Sequence, residues 1–438
     1  MKNDRAVNTE DEMQTFSASP AYSNYVLGVL FIVYVFNFVD RQVMSVFIGP
    51  IKEEFEVSDT AMGLLVGFAF ALLYTIAGIP IARWADRGNR RNIIAIGLAV
   101  WSTMTVLSGL AKSFTLLAIA RVGVGVGEAA GSPPAHSLIA DYFPLNRRAT
   151  ALAMYASGAF VGSGIAYLGG GYLREYFDWR TAFIVVGAPG ILIAVVLRLT
   201  VKEPPRGYSE VGVRDDSTST FKDTLKFLMG SRSWVLLMVG FSLVSLTGYA
   251  VLMWGYEFFG RVHGMSPIRI GQWMGLIVGV GGSVGTILGG VLVDRVTQKS
   301  LRLGIKIPVL VTLTGFPLGV AFLLAASPMQ SLLFFAPFYV LLNFYIPAMY
   351  AANQALAKLR MRATASAIML FIVNIVGAGL GPLIVGILSD YFRPQYGIES
   401  IRYALVVSLG IGAVGGVLLL LSSRYYEEGV LKTRPQQS

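Results

Sequence analysis

Residues 85–91 read ADRGNRR, and residues 289–295 read GGVLVDR. Each stretch closes a long apolar run. Each carries an Asp-Arg pair where apolar residues give way to polar ones: Asp86-Arg87, and then Asp294-Arg295 208 residues later. A second echo has almost the same offset. Residues 148–154 read RATALAM and residues 362–369 read RATASAIM, 214 residues on, and each opens an apolar run. Short strings often match by chance. Two matches at equivalent places, with nearly equal offsets, indicate two related halves.

The rest of the chain says what those halves are. Its 438 residues are 55% hydrophobic and only 14% charged, with a mean hydropathy of +0.63. A soluble domain carries about 25% charged residues. The apolar residues come in runs, and about 20 of them in helix cross a bilayer core. The expected spans lie near 25–48, 61–82, 93–111, 115–140, 149–172, 181–199, 233–258, 271–293, 307–326, 331–357, 364–388 and 403–422. The expected fold is therefore an all-α integral membrane protein. Its twelve spans form two pseudo-symmetric six-helix bundles, 25–199 and 233–422. Residues 1–24 read as an N-terminal tail, since the apolar run after them is too long for a signal peptide. Residues 200–232, with Pro204, Pro205 and the run RDDSTSTFKD, read as a linker, and 423–438 as a C-terminal tail. Such parallel repeats are one way transporters place a site between two rocking halves.

The net charge of +10 follows topology. With the N-terminus inside, the inner segments hold 25 of the Lys and Arg residues and the outer ones hold 8; Arg41 and Arg121 lie within spans. This bias places both termini in the cytoplasm and is no nucleic-acid footprint. There is no cysteine, and two histidines, His136 and His263, do not make a metal site. No G-x-x-x-x-G-K-[ST] occurs, which disfavours an ATP-driven pump. Gly281–Gly285 matches G-x-S-x-G and Gly125–Ala130 matches G-x-G-x-x-A. Both lie mid-span and read as helix packing, not as a nucleophile elbow or a dinucleotide loop. No cofactor, metal or catalytic constellation is expected. Pro133-Pro134 should kink or break span four, and Gly158, Gly162 and Gly164 should let span five pack closely or bend. Trp84, Trp179, Trp234 and Trp273 sit at span ends, as an aromatic belt would.

Four charges interrupt the spans: Asp40 and Arg41 in span one, Arg121 and Glu128 in span four. A charge at mid-membrane costs about 2.5–3.5 kcal/mol on insertion scales, so such residues mark function by default. Arg121 and Glu128 are seven residues apart, which puts them on one helix face about 10 Å apart. Asp40 and Arg121 fall at similar depth. A carboxylate beside a guanidinium is held as the anion, and one whose partner leaves takes up a proton. Asp40 is the first candidate for proton coupling. Glu128 is the second, or else the partner that neutralises Arg121. Arg41 and Arg121 are candidates to hold an anionic headgroup, since guanidinium forks match phosphate and carboxylate. A fixed network that merely locks two helices is the alternative.

At this point the chain resembles a family. Twelve spans, a central linker and D-R-x-x-R-R after span two look like the major facilitator superfamily. The usual G-x-x-x-D-R-x-G-R-R pattern has Ala82 and Asn89 here in place of its glycines. The second copy keeps Gly290 but lacks the basic tail. Asp40-Arg41, RVGVGVGEAAGSPP at 121–134 and ADYFP at 140–144 look specifically like the Spinster branch of lysolipid and sphingolipid transporters. The resemblance implies alternating access, spans one and four lining a central cavity, and an amphipathic or lipid-like substrate. It also implies a gate. Asp86 with Arg87, Arg90 and Arg91 would hold the positive N-terminus of span eleven near Thr364, and Asp294 with Arg295 that of span five near Thr150. Both threonines are candidate N-caps. The expected partners are the substrate, protons and membrane lipids, with no nucleic acid. The expected state is a monomer in a bacterial inner membrane. A carrier of small organic anions or drugs is the alternative, and a non-transporting receptor is a different class.

Overall fold

The computed structural model describes residues 18–206, 208, 221–358 and 361–433. The first 17 residues of the expected N-terminal tail, residues 214–220 of the polar linker run and the last five residues of the C-terminal tail lie outside them.

The described chain is helical throughout. Before the linker come α1 (Pro20–Val46), α2 (Ile48–Phe55), α3 (Asp59–Arg87), α4 (Arg90–Gly109), α5 (Phe114–Glu128), α6 (Ser132–Tyr142), α7 (Leu145–Tyr176) and α8 (Trp179–Thr200). After it come α9 (Phe221–Met229), α10 (Arg232–His263), α11 (Pro267–Thr297), α12 (Leu301–Leu324), α13 (Pro328–Leu342) and α14 (Tyr345–Ala355). Next is α15, in the parts Arg362–Val373, Asn374–Leu380 and Gly381–Tyr396, then α16 (Ser400–Ser422) and α17 (Tyr426–Leu431).

Among the described residues, eleven continuous stretches are long and apolar enough to cross a membrane. The last, Thr364–Ser422, has 59 residues, and a crossing takes about 20. It turns at Gly397, whose φ of +54° suits glycine alone, so it holds two spans. The twelve expected spans are thereby accounted for.

Local sequence explains where the helices begin and break. Asn89, Ser113, Asp178, Ser231, Ser300 and Ser327 each accept a hydrogen bond from the backbone N–H three residues on. These are N-caps that satisfy otherwise unpaired donors. Asn89 thus has a local reason to replace glycine in the loop. Pro133 and Pro134 occupy the first turn of α6, where a missing N–H costs nothing, and the expected break of span four falls just before them. The G-x-G run of α5 is packing: a Cβ on Gly127 would lie 2.7 Å from the Trp101 backbone nitrogen. The G-x-S-x-G run is packing too, since a Cβ on Gly285 would lie 2.2 Å from the Val340 carbonyl.

Three expectations are corrected. Thr150 and Thr364 are not N-caps, because α7 starts at Leu145 and the first part of α15 at Arg362; each threonine already lies inside its helix. Trp179 and Trp234 are buried, so only Trp84 and Trp273 of the four are placed as a belt residue would be. Trp234 turns inward because Asn353 accepts its indole N–H at 3.0 Å. The expected linker is also not all irregular, since α9 forms inside it.

π-helical segments interrupt α3 at 64–69, α11 at 277–281 and α15 at 374–380. Such bulges loosen the regular ladder and often mark functional places. The first two start 213 residues apart, close to both sequence echoes.

Contacts sort the chain into two compact units. Of the described residues, one unit takes those within 1–43, 73–166 and 177–215, and the other those within 44–72, 167–176 and 216–438. Helices α1, α3 and α7 contribute to both.

Candidate functional site

The four charges within the spans meet within the first unit. Asp40 and Arg41 are consecutive on α1, so their side chains leave the helix about 100° apart. On α5, Arg121 and Glu128 share a face two turns apart. Arg121 Nη1 donates to Asp40 Oδ1 at 2.8 Å, and Nη2 reaches the Asp40 carbonyl at 3.5 Å. Arg41 donates to Glu128 Oε2 from Nη2 at 2.6 Å and from Nε at 3.3 Å. The result is two parallel ion pairs between the same two helices.

The expected closeness of Asp40 and Arg121 is present. The option that Glu128 neutralises Arg121 is not what forms: Glu128 pairs with Arg41. The reason is the lean of helical side chains toward their own N-terminus. The first and fourth spans run in opposite directions, so Arg41 and Glu128 lean toward each other and close the axial gap.

The surroundings sharpen both pairs. Asp40, Arg121 and Glu128 are buried, while the Arg41 side chain keeps 11% of its exposure. Thr105 of α4 donates its hydroxyl to Asp40 Oδ2. The Arg41 guanidinium lies 5.0 Å from the Phe38 ring centre and 5.3 Å from that of Tyr74. The Arg121 guanidinium lies 5.9 Å from the Phe183 ring. Glu128 Oε1 is buried with no hydrogen-bond partner among the described residues. A carboxylate with one satisfied and one orphaned oxygen is uncommon, because an unpaired buried acceptor costs about 1–3 kcal/mol.

Thr105 was not anticipated. Its signal was available, since Ser102, Thr105 and Ser108 recur every three residues in span three and all are buried. His136 meets Tyr155 edge-on at 5.4 Å, and Tyr155 stacks on Tyr34 at 4.4 Å. This is a packing contact between rings.

The loop motif divides in two. Asp86 and Arg87 are exposed in the last turn of α3, and Asp294 and Arg295 are exposed near the end of α11. Arg90 is instead buried. It pairs with Asp141, donates to Glu203 at 2.7 Å and Ser137 Oγ at 2.8 Å, and reaches the Pro204 carbonyl at 3.0 Å. Arg91 donates its backbone N–H to Glu203 at 2.9 Å and its guanidinium to the Val201 carbonyl at 3.2 Å. Arg206 returns to the Ala85 and Gly88 carbonyls at 2.5 and 2.9 Å. The basic tail of the motif therefore clasps the first residues of the linker, a role beyond topology.

The sequence pattern of the Major Facilitator Superfamily matches residues 30–378. An MFS-type efflux pump of Mycolicibacterium smegmatis is 34% identical over 407 residues, 93% of this chain and 94% of that protein. Protein spinster homolog 1 of Xenopus tropicalis is 27% identical over 437 residues, 93% of this chain and 82% of that one. The crystal structure of a bacterial homologue of the human lysosomal transporter Spinster, inward-facing and unoccupied, superposes with a TM-score of 0.87. It is 32% identical and covers 96% of this chain and 100% of that one. The occupied, inward-facing form gives a TM-score of 0.83 at 31% identity, with the same coverage. The extent of these matches and the fold they share lead to one conclusion: this chain belongs to the major facilitator superfamily, as a multi-pass membrane transporter of the Spinster type.

Proposed function

We propose that this transporter is a proton-coupled secondary carrier that works by alternating access and moves an amphipathic, lipid-like anion of the lysolipid or sphingolipid class. In this reading Glu128 and Asp40 handle the proton, and Arg41 and Arg121 receive the anionic headgroup. The observation that carries it is the orphaned Oε1 of Glu128 beside its paired Oε2. A proton arriving at Oε1 removes the anion that Arg41 faces. Arg41 keeps its charge and its aromatic flanks, and an anionic headgroup then replaces Glu128 as counter-ion. Proton and anionic headgroup are thus held together without leaving a bare charge in the membrane, which would be costly. The Asp40–Arg121 pair joins the same two helices, with Thr105 as a third group.

Within the same proposal the bundles 25–199 and 233–422 rock about the linker, both termini lie in the cytoplasm of a bacterial cell, and Asp86 and Asp294 act as gate residues. A second reading, a carrier of small organic anions or drugs, is favoured by the efflux-pump name of the M. smegmatis relative. Proteoliposome flux under an imposed pH gradient separates the two. Preference for lysolipids over small polar anions supports the first, and the reverse order supports the second. Binding of either class with no net flux rejects both.

A further inference from the structure

A cavity of about 490 Å³ opens in the second unit, at the end that carries the linker, and the function above does not use it. Lys226 and Phe227 of α9 line one side, and Lys432, just past α17, lines another. Leu356 and Met361, between α14 and α15, are buried and supply apolar wall. Asp223 is the third charged residue of the described lining. The wall formed by α17 is fixed in place. A Cβ on Gly429 would lie 2.7 Å from Leu356 Cδ2, so the helix approaches this closely because position 429 is glycine. Glu427 accepts from Ser300 Oγ at 3.2 Å and from the Arg302 N–H at 3.3 Å, which ties α17 to the start of α12. The Thr433 hydroxyl donates to the Ala355 carbonyl at 3.3 Å.

The sequence of α9, FKDTLKFLM, has the pattern of a helix lying in a membrane surface. Thr224 and Leu228 are buried, while Lys222 and Lys226 are exposed. Phe221 and Met229 are exposed too, as is Leu431 at the end of α17. Both lysine-bearing walls therefore present large apolar side chains outward, which water disfavours and the edge of a bilayer accepts. The lysines are available to a stronger partner. Lys432 Nζ meets Glu428 at 2.6 Å, but both side chains are about two-thirds exposed, and such surface pairs contribute little. The Lys358 ammonium lies 4.9 Å from the Phe227 ring centre and brings a third positive charge to the α9 wall. The acids nearby have other duties. Asp223 stands in the first turn of α9, where it answers the helix dipole, and Glu427 holds the start of α12. Ammonium groups beside an apolar wall match a phosphate ester that carries acyl chains. Its charge meets the lysines, and its glycerol and first methylenes meet Phe227, Leu356 and Met361. A bare phosphate ion would leave the apolar wall unused.

We propose that this cavity is a headgroup site for an anionic phospholipid of the surrounding bilayer, held by Lys226 and Lys432 in addition to the transport site of the first unit. The proposal stands whatever substrate the transporter moves. It is tested on the full chain in a neutral detergent, titrated with phosphatidylglycerol or with phosphatidylcholine bearing the same acyl chains. Native mass spectrometry counts the lipids retained. One phosphatidylglycerol should bind at least about tenfold more tightly than phosphatidylcholine, a difference of about 1.4 kcal/mol. A lysine at a membrane surface is worth about fivefold in affinity for anionic lipid. Lys226→Gln with Lys432→Gln should therefore lower phosphatidylglycerol affinity about 25-fold and leave phosphatidylcholine unchanged. Lys226→Arg with Lys432→Arg keeps both charges and should hold the parent affinity. Lys222→Gln removes a charge from the same helix outside the cavity lining and should also bind as the parent does. Without lipid, all these variants should melt with the parent, because the substituted side chains are exposed. Equal affinity for the two lipids overturns the proposal, and so does parent affinity in the double glutamine variant. An equal loss in Lys222→Gln overturns it as well, since it signals diffuse surface attraction. Inorganic phosphate or glycerol 3-phosphate binding as tightly as phosphatidylglycerol assigns the cavity to a soluble anion and removes the lipid.

Discussion

Glu128→Gln isolates the proposed coupling group with little change in shape. In the parent, Oε2 faces two Arg41 nitrogens at 2.6 and 3.3 Å and Oε1 faces none. Glutamine keeps an acceptor for Arg41 and puts its NH₂ where Oε1 lies. The lost Coulomb attraction is about 4 kcal/mol, for charge centres about 4 Å apart at an effective dielectric of about 20. A neutral hydrogen bond restores about 0.5–1.5 kcal/mol. The Phe38 and Tyr74 rings return about 0.5–2 kcal/mol by cation–π attraction. The remaining cost is about 1–3 kcal/mol, below the roughly 3–5 kcal/mol of a fully orphaned buried charge. The variant should therefore fold, with a lowered melting temperature. Proteoliposome uptake driven by a pH gradient should fall at least about tenfold, the equivalent of about 1.4 kcal/mol. Substrate exchange at equal pH, which moves no net proton, should persist. Undiminished pH-driven accumulation would refute the reasoning. Loss of exchange and uptake together would assign Glu128 to structure.

Other predictions rest on the same geometry. Asp40→Asn removes the anion facing Arg121 while keeping an acceptor for Thr105, and should abolish pH-driven uptake; intact pH dependence counts against a coupling role. Thr105→Val leaves Asp40 Oδ2 short of a donor and should lower flux, and Thr105→Ser should restore it; equal flux in both would show that the hydroxyl is idle. Arg90→Gln strands the buried Asp141 and the nearby Glu203 and should cost about 3–5 kcal/mol of stability in thermal unfolding. Glu203→Gln, whose side chain is 20% exposed, should cost less, and the opposite ranking would reject the clasp. Asp86→Asn should reduce transport while leaving folding intact, and near-parent flux would retire the gate.

Much of this protein was legible in one dimension. Bilayer thickness makes span number a matter of counting apolar residues, so hydropathy placed the crossings. The two echoes marked the repeat, and the π-helical segments of α3 and α11 obey the same offset. The cost of burying charge in lipid singled out Asp40, Arg41, Arg121 and Glu128 before any partner was visible. Partnership itself needed three dimensions. Arg41 joins Glu128 because of how two antiparallel helices rotate and how their side chains lean, which spacing along one helix does not report. Arg90 read as part of a surface gating motif, yet it is enclosed by Asp141 and Glu203, 51 and 113 residues away. Charge–charge contact depends on distance in space, and hydropathy is a property of the chain. The sequence could thus state what must be buried, while packing alone chose which buried group answers which.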